Sequence, residues 1–175
     1  GDWLRVQMAY RPFYEKPPLY FWLQALCMSV FGINDFAAQL PNALAGVATL
    51  LVLYRAGSQH FGPRFGLLWA GAYGGSLLPA FYFRHGFIDP IFNLFIFLAL
   101  WQLMLYHWKR SGLLSRMTTS TDSAYQEPGT AAYLCARLSL VALFTGLAVL
   151  AKGPVGLGLV GAVVAVYWAW GGFRW

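Results

Sequence analysis

Long apolar stretches at 36–56, 65–83, 88–106, 138–151 and 155–172 dominate the chain. Each approaches the roughly 20 residues that a helix needs to cross about 30 Å of hydrocarbon. Strands do not fit, because the stretches lack period-two alternation and a sheet edge in lipid would leave backbone groups unpaired. Composition agrees: 59% of residues are hydrophobic and 10% charged, whereas soluble domains average about half and a quarter. The expected fold class is an all-α multi-pass membrane protein, with each of these stretches a transmembrane helix.

A shorter apolar segment at 19–33 precedes them. Its apolar part, Leu19 to Phe31, would reach only about 20 Å as a helix, too short for a comfortable crossing. It is expected to lie along the membrane surface as an interfacial juxtamembrane helix. Residues 1–18 then form an external loop and 107–137 a cytoplasmic loop, the whole chain 1–175 being one partial transmembrane domain.

Charge orients this arrangement, since cytoplasmic loops are enriched in Lys and Arg. Arg55, His60 and Arg64 lie between the first two spans, and Lys109, Arg110, Arg116 and Arg137 lie in or beside the longest loop. Both places read as cytoplasmic, which puts the turn Arg84 to Phe87, Asp89 and Lys152 outside. Trp101, Tyr106, Trp108, Trp168, Trp170 and Trp175 sit at the ends of apolar stretches, as interfacial aromatic belts do. The net charge of +6 is spread between helices and forms no basic stripe with interleaved aromatics, so no nucleic-acid partner is expected. Cys27 and Cys135 fall in segments assigned to different membrane faces, which argues against a disulfide. The polar opening Gly1 to Lys16, with no initiator Met and no basic n-region, does not read as a leader, and the chain is expected to begin and end inside a longer protein.

Three short motifs carry charge at the expected outer face. Tyr14-Glu15-Lys16-Pro17-Pro18-Leu19 sets an acid and a base before a helix that starts on prolines. Lys16 either binds phosphate as a compact point charge or simply snorkels at the interface. In Arg84-His85-Gly86-Phe87-Ile88-Asp89-Pro90, Asp89 either caps the next helix or forms part of a site with Arg84 and His85. Asn93, one turn later, would share its face. Ala151-Lys152-Gly153-Pro154 ends a helix on a lysine that compensates the helix terminus or serves a ligand. Asn34 and Asp35 suit a helix cap, Pro41 a kink, and Gly46, Gly71, Gly74 and Gly75 close helix packing. No ligand spacing relates His60 to His107, so no metal site is expected.

In this order and spacing the motifs resemble the polyprenyl-phosphate-dependent glycosyltransferases of the protein O-mannosyltransferase family, including the bacterial lipid A aminoarabinose transferases. The resemblance covers Gly1-Asp2-Trp3-Leu4, Glu15 to Leu19, Phe31-Gly32, Phe36-Ala37-Ala38-Gln39-Leu40-Pro41, Arg84 to Asp89 and Ala151 to Pro154. Gln39 departs from the pattern, standing where such proteins often have Arg.

The resemblance implies a C-type glycosyltransferase fold in a bacterial cytoplasmic membrane, with an extracytoplasmic active site. It implies a polyprenyl-phosphate sugar donor, contact with membrane lipids, and a glycan, lipid or protein acceptor. It matches Asp89 to the acidic residue of the second external loop and Lys16 to the lysine near the donor phosphate. On that basis Asp89, Lys16 and Glu15 are the candidate catalytic residues, and Lys16, Arg84, His85 and Lys152 the candidates for binding the donor phosphate. The family's acidic Asp-Glu pair would lie upstream of Gly1, so this stretch alone is expected to be inactive. No cofactor is expected, and a divalent metal would need carboxylates from beyond it. The competing reading is a polyprenyl-lipid flippase, which would want polar positions within its spans.

Overall fold

The computed structural model describes residues 7–8, 11–12, 17–85, 87–119 and 130–170. Seven helices are formed among them: α1 (Leu19–Phe31), α2 (Asp35–Phe61), α3 (Pro63–Gly75), α4 (Leu77–Arg84), α5 (Asp89–Thr119), α6 (Thr130–Lys152) and α7 (Val155–Trp170). Ahead of them, the two-residue strands β1 (Gln7–Met8) and β2 (Arg11–Pro12) pair antiparallel, Gln7 opposite Pro12 and Met8 opposite Arg11.

Local chemistry sets the helix boundaries. Gly32 at φ 81° stops α1, since a left-handed residue cannot continue the helix. The Asn34 side chain accepts the Ala37 N–H at 2.7 Å and so caps α2. Gly62 at φ 94° and Pro63 end α2 and start α3, proline's missing N–H being harmless in a first turn. Pro41 sits inside α2 and cannot donate to the Ala37 carbonyl. One residue along, Gln24 of α1 donates to the Ala38 carbonyl at 2.9 Å, tying α1 to this weakened turn.

The expected single helix over 65–83 is instead two, α3 and α4, with Ser76 extended between them (ψ 143°). Gly74, Gly75 and Ser76 are weak helix formers. Pro79 could not donate to the Gly75 carbonyl if the helix ran through. Ser76 closes the break by donating its hydroxyl to the Tyr73 carbonyl at 3.0 Å. The expected loop over 107–137 is also largely helical, because α5 runs to Thr119 and α6 starts at Thr130. Apolar sequence ends where hydrocarbon ends, but no proline stops the helix there, so it continues into polar sequence.

Burial is inverted relative to a water-soluble protein. Ala37, Ala99, Ala148 and Ala151 are fully buried, as is Asn42, and Gln102 and Thr145 are nearly so. Leu44, Leu51, Leu67, Leu68, Val166 and Trp170 are exposed. Lipid solvates such side chains as well as a core does, so helices associate through small residues and polar bonds. α2, α5 as far as Gly112, and α6 are each long and apolar enough to span a bilayer. The architecture is that of a multi-pass α-helical membrane protein.

One core cluster, Tyr20, Ala45, Ile91 and Leu94, joins α1, α2 and α5. A second, Phe92, Ala148 and Ala151, joins α5 to α6, with Leu19 and Ile88 packed against it. Farther along the same pair, Arg137 donates to the side-chain Oε1 of the buried Gln102. The tightest helix approach lies between α2 and α3, where a Cβ on Gly57 would stand 2.8 Å from Gly66 Cα. Gly46 and Gly74 are also close-packed, against Phe83 and Leu50, but Gly71 and Gly75 face open space.

These glycines give a paired test. Gly66→Ala would drive a methyl into the backbone of Tyr54 and Ser58 and is expected to cost about 2 kcal/mol or more. Gly71→Ala is expected to be neutral or stabilising by up to about 1 kcal/mol. Thermal unfolding of both variants in detergent micelles measures the contrast.

Candidate functional site

Two helix breakers, Gly153 and Pro154, make Lys152 the last residue of α6. Gly153 turns to φ 83°, a conformation that side chains disfavour, and Pro154 has no N–H to extend the helix. The Gly153 N–H closes the helix end on the Val149 carbonyl at 2.7 Å, and α7 begins at Val155. Asp89 lies in the first turn of α5, with Pro90 behind it. An acid there meets the positive end of the helix dipole.

Packing of α5 on α6 brings these two helix ends together. The Lys152 ammonium donates to Asp89 Oδ1 and stands 5.4 Å from the centroid of the Phe92 ring. The pair is partly open to solvent, with Lys152 47% and Asp89 35% exposed. Ion pairs this accessible contribute about 0–1 kcal/mol, so an incoming anion can compete for the lysine at small cost.

The pair borders an open cleft of about 430 Å³. Asp89, Asn93 and Lys152 form its polar wall. Leu78, Pro79, Tyr82 and Phe83 of α4, with Tyr73 of α3, line the rest of it. A ligand with a charged head and an apolar body matches this lining.

The first motif reaches the same corner by its described end. A Cβ on Gly153 would stand 3.9 Å from Pro17 Cγ, and Leu19 packs on the cluster that contains Ala151. Burial pushes the Tyr20 phenol above its ordinary value, and its hydroxyl accepts from Gln24 Nε2 at 3.1 Å. Glu15 and Lys16 lie outside the described residues.

The remaining candidates stand apart from the cleft. Arg84 is exposed in the last turn of α4, where a cation suits the helix terminus. His85 is also exposed; its Nδ1 lies 2.8 Å from the Phe81 carbonyl and its ring stacks on Phe81 at 4.1 Å. Among the described residues no three His, Cys, Asp or Glu side chains converge as metal ligands would.

Sequence reasoning passed over Asn42, Tyr73, Tyr82 and Pro79. Asn42 carried a usable signal, being an amide in the middle of an apolar stretch, and such residues face the bundle interior. The tyrosines carried none, because their place in the cleft depends on the break at Ser76.

Fold and site thus define a multi-pass helical membrane protein that gathers a half-exposed ion pair and an amphipathic cleft at one end of its bundle. Residues 15–170 match the family described as dolichyl-phosphate-mannose-protein mannosyltransferase, and the chain belongs to that family. Cupriavidus metallidurans ArnT, in its apo crystal structure, shares the fold with a TM-score of 0.75 over 97% of this chain at 22% identity. The undecaprenyl phosphate-alpha-4-amino-4-deoxy-L-arabinose arabinosyl transferase of Pseudomonas aeruginosa is 29% identical over 65% of this chain. The transferase of the same name from Pseudomonas savastanoi pv. phaseolicola is 35% identical over 37% of it. The chain spans 28% of the Cupriavidus protein and 22% and 12% of the two Pseudomonas proteins.

Because the ion pair is half-exposed, its removal should spare the fold. Asp89→Asn and Lys152→Met are each expected to change stability by no more than about 1 kcal/mol. Thermal unfolding in detergent measures this, and a much larger loss would make the pair a structural element.

Proposed function

We propose that the full-length protein is an integral-membrane glycosyltransferase that moves a sugar from a polyprenyl-phosphate donor to a glycan, lipid or protein acceptor at the extracytoplasmic face. The observation that carries this reading is the contact of Asp89 with Lys152 beside the cleft, with Pro17 of the first motif next to Gly153. Two relatives add support, being named for transfer from undecaprenyl phosphate.

The residue types set the chemistry. An acceptor oxygen attacks the anomeric carbon, the bond from that carbon to the phosphate oxygen breaks, and the lipid phosphate leaves with the bonding electrons. Cations stabilise the charge that grows on the leaving phosphate, a task for Lys152 and Lys16, with Arg84 and His85 at the end of α4 the further candidates. A carboxylate orients the acceptor or its catalytic partner, the role assigned to Asp89, and the acceptor's proton passes to the family's acidic residue upstream of this stretch. Glu15 is assigned to hold Lys16 in place. The apolar wall of α4 suits the lipid portion of the donor.

Charge distribution supports the outer face. Lys109 and Arg110 lie about 30 Å along α5 from Asp89 at 1.5 Å per residue. Arg55 and Arg64 flank the α2–α3 turn. Basic residues mark the cytoplasmic side, which leaves Asp89 and Lys152 outside. A flippase would need a polar path through the spans, whereas the described spans carry their charges near their ends, Arg137 there donating to the Gln102 side-chain oxygen.

The test is purified full-length protein with undecaprenyl-phosphate-linked 4-amino-4-deoxyarabinose or mannose, a membrane extract as acceptor source, and mass-spectrometric detection of released undecaprenyl phosphate. Release is expected with at least one donor. Lys152→Ala is expected to slow it about a hundredfold, the typical loss for one electrostatic stabiliser, and Asp89→Asn at least about tenfold. Variants within twofold of the unsubstituted rate would remove both residues from the mechanism.

A further inference from the structure

Asn42 is fully buried in α2, yet its side chain serves another part of the chain. Its amide nitrogen donates to the carbonyl of His85 and, at 2.8 Å, to the carbonyl of Phe87. These two residues belong to the connector between α4 and α5, immediately before Asp89. The Phe87 N–H also donates to the His85 carbonyl at 2.8 Å, so the connector is held both internally and from α2.

Orientation of the amide is dictated by its partners. Two carbonyls facing one side-chain end require the NH2 group there, which turns Oδ1 inward. Among the described residues that buried oxygen has no hydrogen-bond partner. An unpaired buried acceptor is costly, and an apolar residue would avoid it. Asn42 is worth that cost only if its two donors are needed.

Ile88 packs against both core clusters. Ahead of it, among the described residues, His85 and Phe87 rest only on the exposed α4, through Phe81 and Tyr82, and the two Asn42 donors tie them to the bundle interior. Arg84, His85 and Phe87 are exposed, and α4 has no buried residue. Asp89 comes directly after, and the placement of a carboxylate within a fraction of an ångström governs its usefulness in catalysis. We propose that Asn42 is a positioning residue, whose side-chain amide clamps the His85 and Phe87 carbonyls and thereby fixes Asp89 against Lys152 and the cleft. This rests on the transferase reading for its catalytic consequence and on geometry alone for the clamp.

Asn42→Asp keeps the shape and removes both donors when ionised and one of the two when protonated. It is tested in the full-length protein in detergent, with hydrogen exchange of the 84–89 segment measured alongside undecaprenyl phosphate release from the same synthetic donors. Exchange in that segment is expected to accelerate at least about tenfold with α1 unchanged, each lost hydrogen bond being worth a several-fold shift in opening. Turnover is expected to fall at least about tenfold with donor KM nearly constant. Asn42→Asp combined with Asp89→Asn is expected to be no slower than Asp89→Asn alone, because a residue that acts through Asp89 has nothing further to lose. If the buried carboxylate prevents accumulation, the uncharged Asn42→Ala, which has no side-chain donor, takes its place in every arm.

Unchanged exchange would overturn the clamp. Normal turnover, or losses that multiply in the double variant, would overturn the positioning role. Should the unsubstituted protein release no lipid phosphate from any donor, the transferase reading fails, and exchange alone confirms or overturns the clamp.

Discussion

The contact on which the rest depends is the packing of Phe92 on Ala148 and Ala151, with Leu19 and Ile88 against them. Alanine at two positions one turn apart lets α5 lie close along α6, and in lipid such closeness is the main source of helix affinity. The ion pair at this end is attached to that contact. Ile88 precedes Asp89, Ala151 precedes Lys152, and Leu19 comes just after Pro17 and Pro18. Bringing the apolar residues together therefore brings Asp89 and Lys152 together, without requiring the ion pair to contribute much energy of its own.

A site built this way separates stability from chemistry. The structural contribution comes from small apolar residues and the left-handed Gly153, while Asp89 and Lys152 remain half-exposed and free to exchange partners. The break at Ser76 complements them. It swings α4 out of line with α3, so that Leu78, Pro79 and Phe83 wall a cleft instead of continuing a straight span. Lipid on one side and a charged interface on the other is the setting an amphipathic lipid phosphate would need.

Much of this was legible in sequence, and the rest failed for identifiable reasons. α1 has the bounds read from its apolar residues, Asn34 caps α2, and Asp89 opens α5 with Asn93 on the same cleft. These depend on local rules. The break at Ser76 was missed because hydropathy is indifferent to whether an apolar run is one helix or two. The extension of α5 to Thr119 was missed for the converse reason, since a helix persists beyond the hydrocarbon where nothing stops it. Gly57, Gly66 and Asn42 depend on partners distant in sequence, and among glycines only three-dimensional packing separates Gly66 from Gly71. The meeting of Asp89 and Lys152 was expected only as a shared membrane face; their direct contact needed the fold.

The central claim is that the three charged motifs share one outer membrane face, and thiol accessibility tests it without knowledge of any substrate. Cys27 and Cys135 would be replaced in the full-length protein and single cysteines placed at Lys16, Asp89, Lys152 and Lys109. Intact cells would then be treated with a membrane-impermeant maleimide. Labelling from outside at the first three positions, with Lys109 labelled only after permeabilisation, is the predicted result. Labelling of Lys16 only from inside while Asp89 labels from outside would mean that the short α1 segment crosses the membrane, and the proposed site would not assemble.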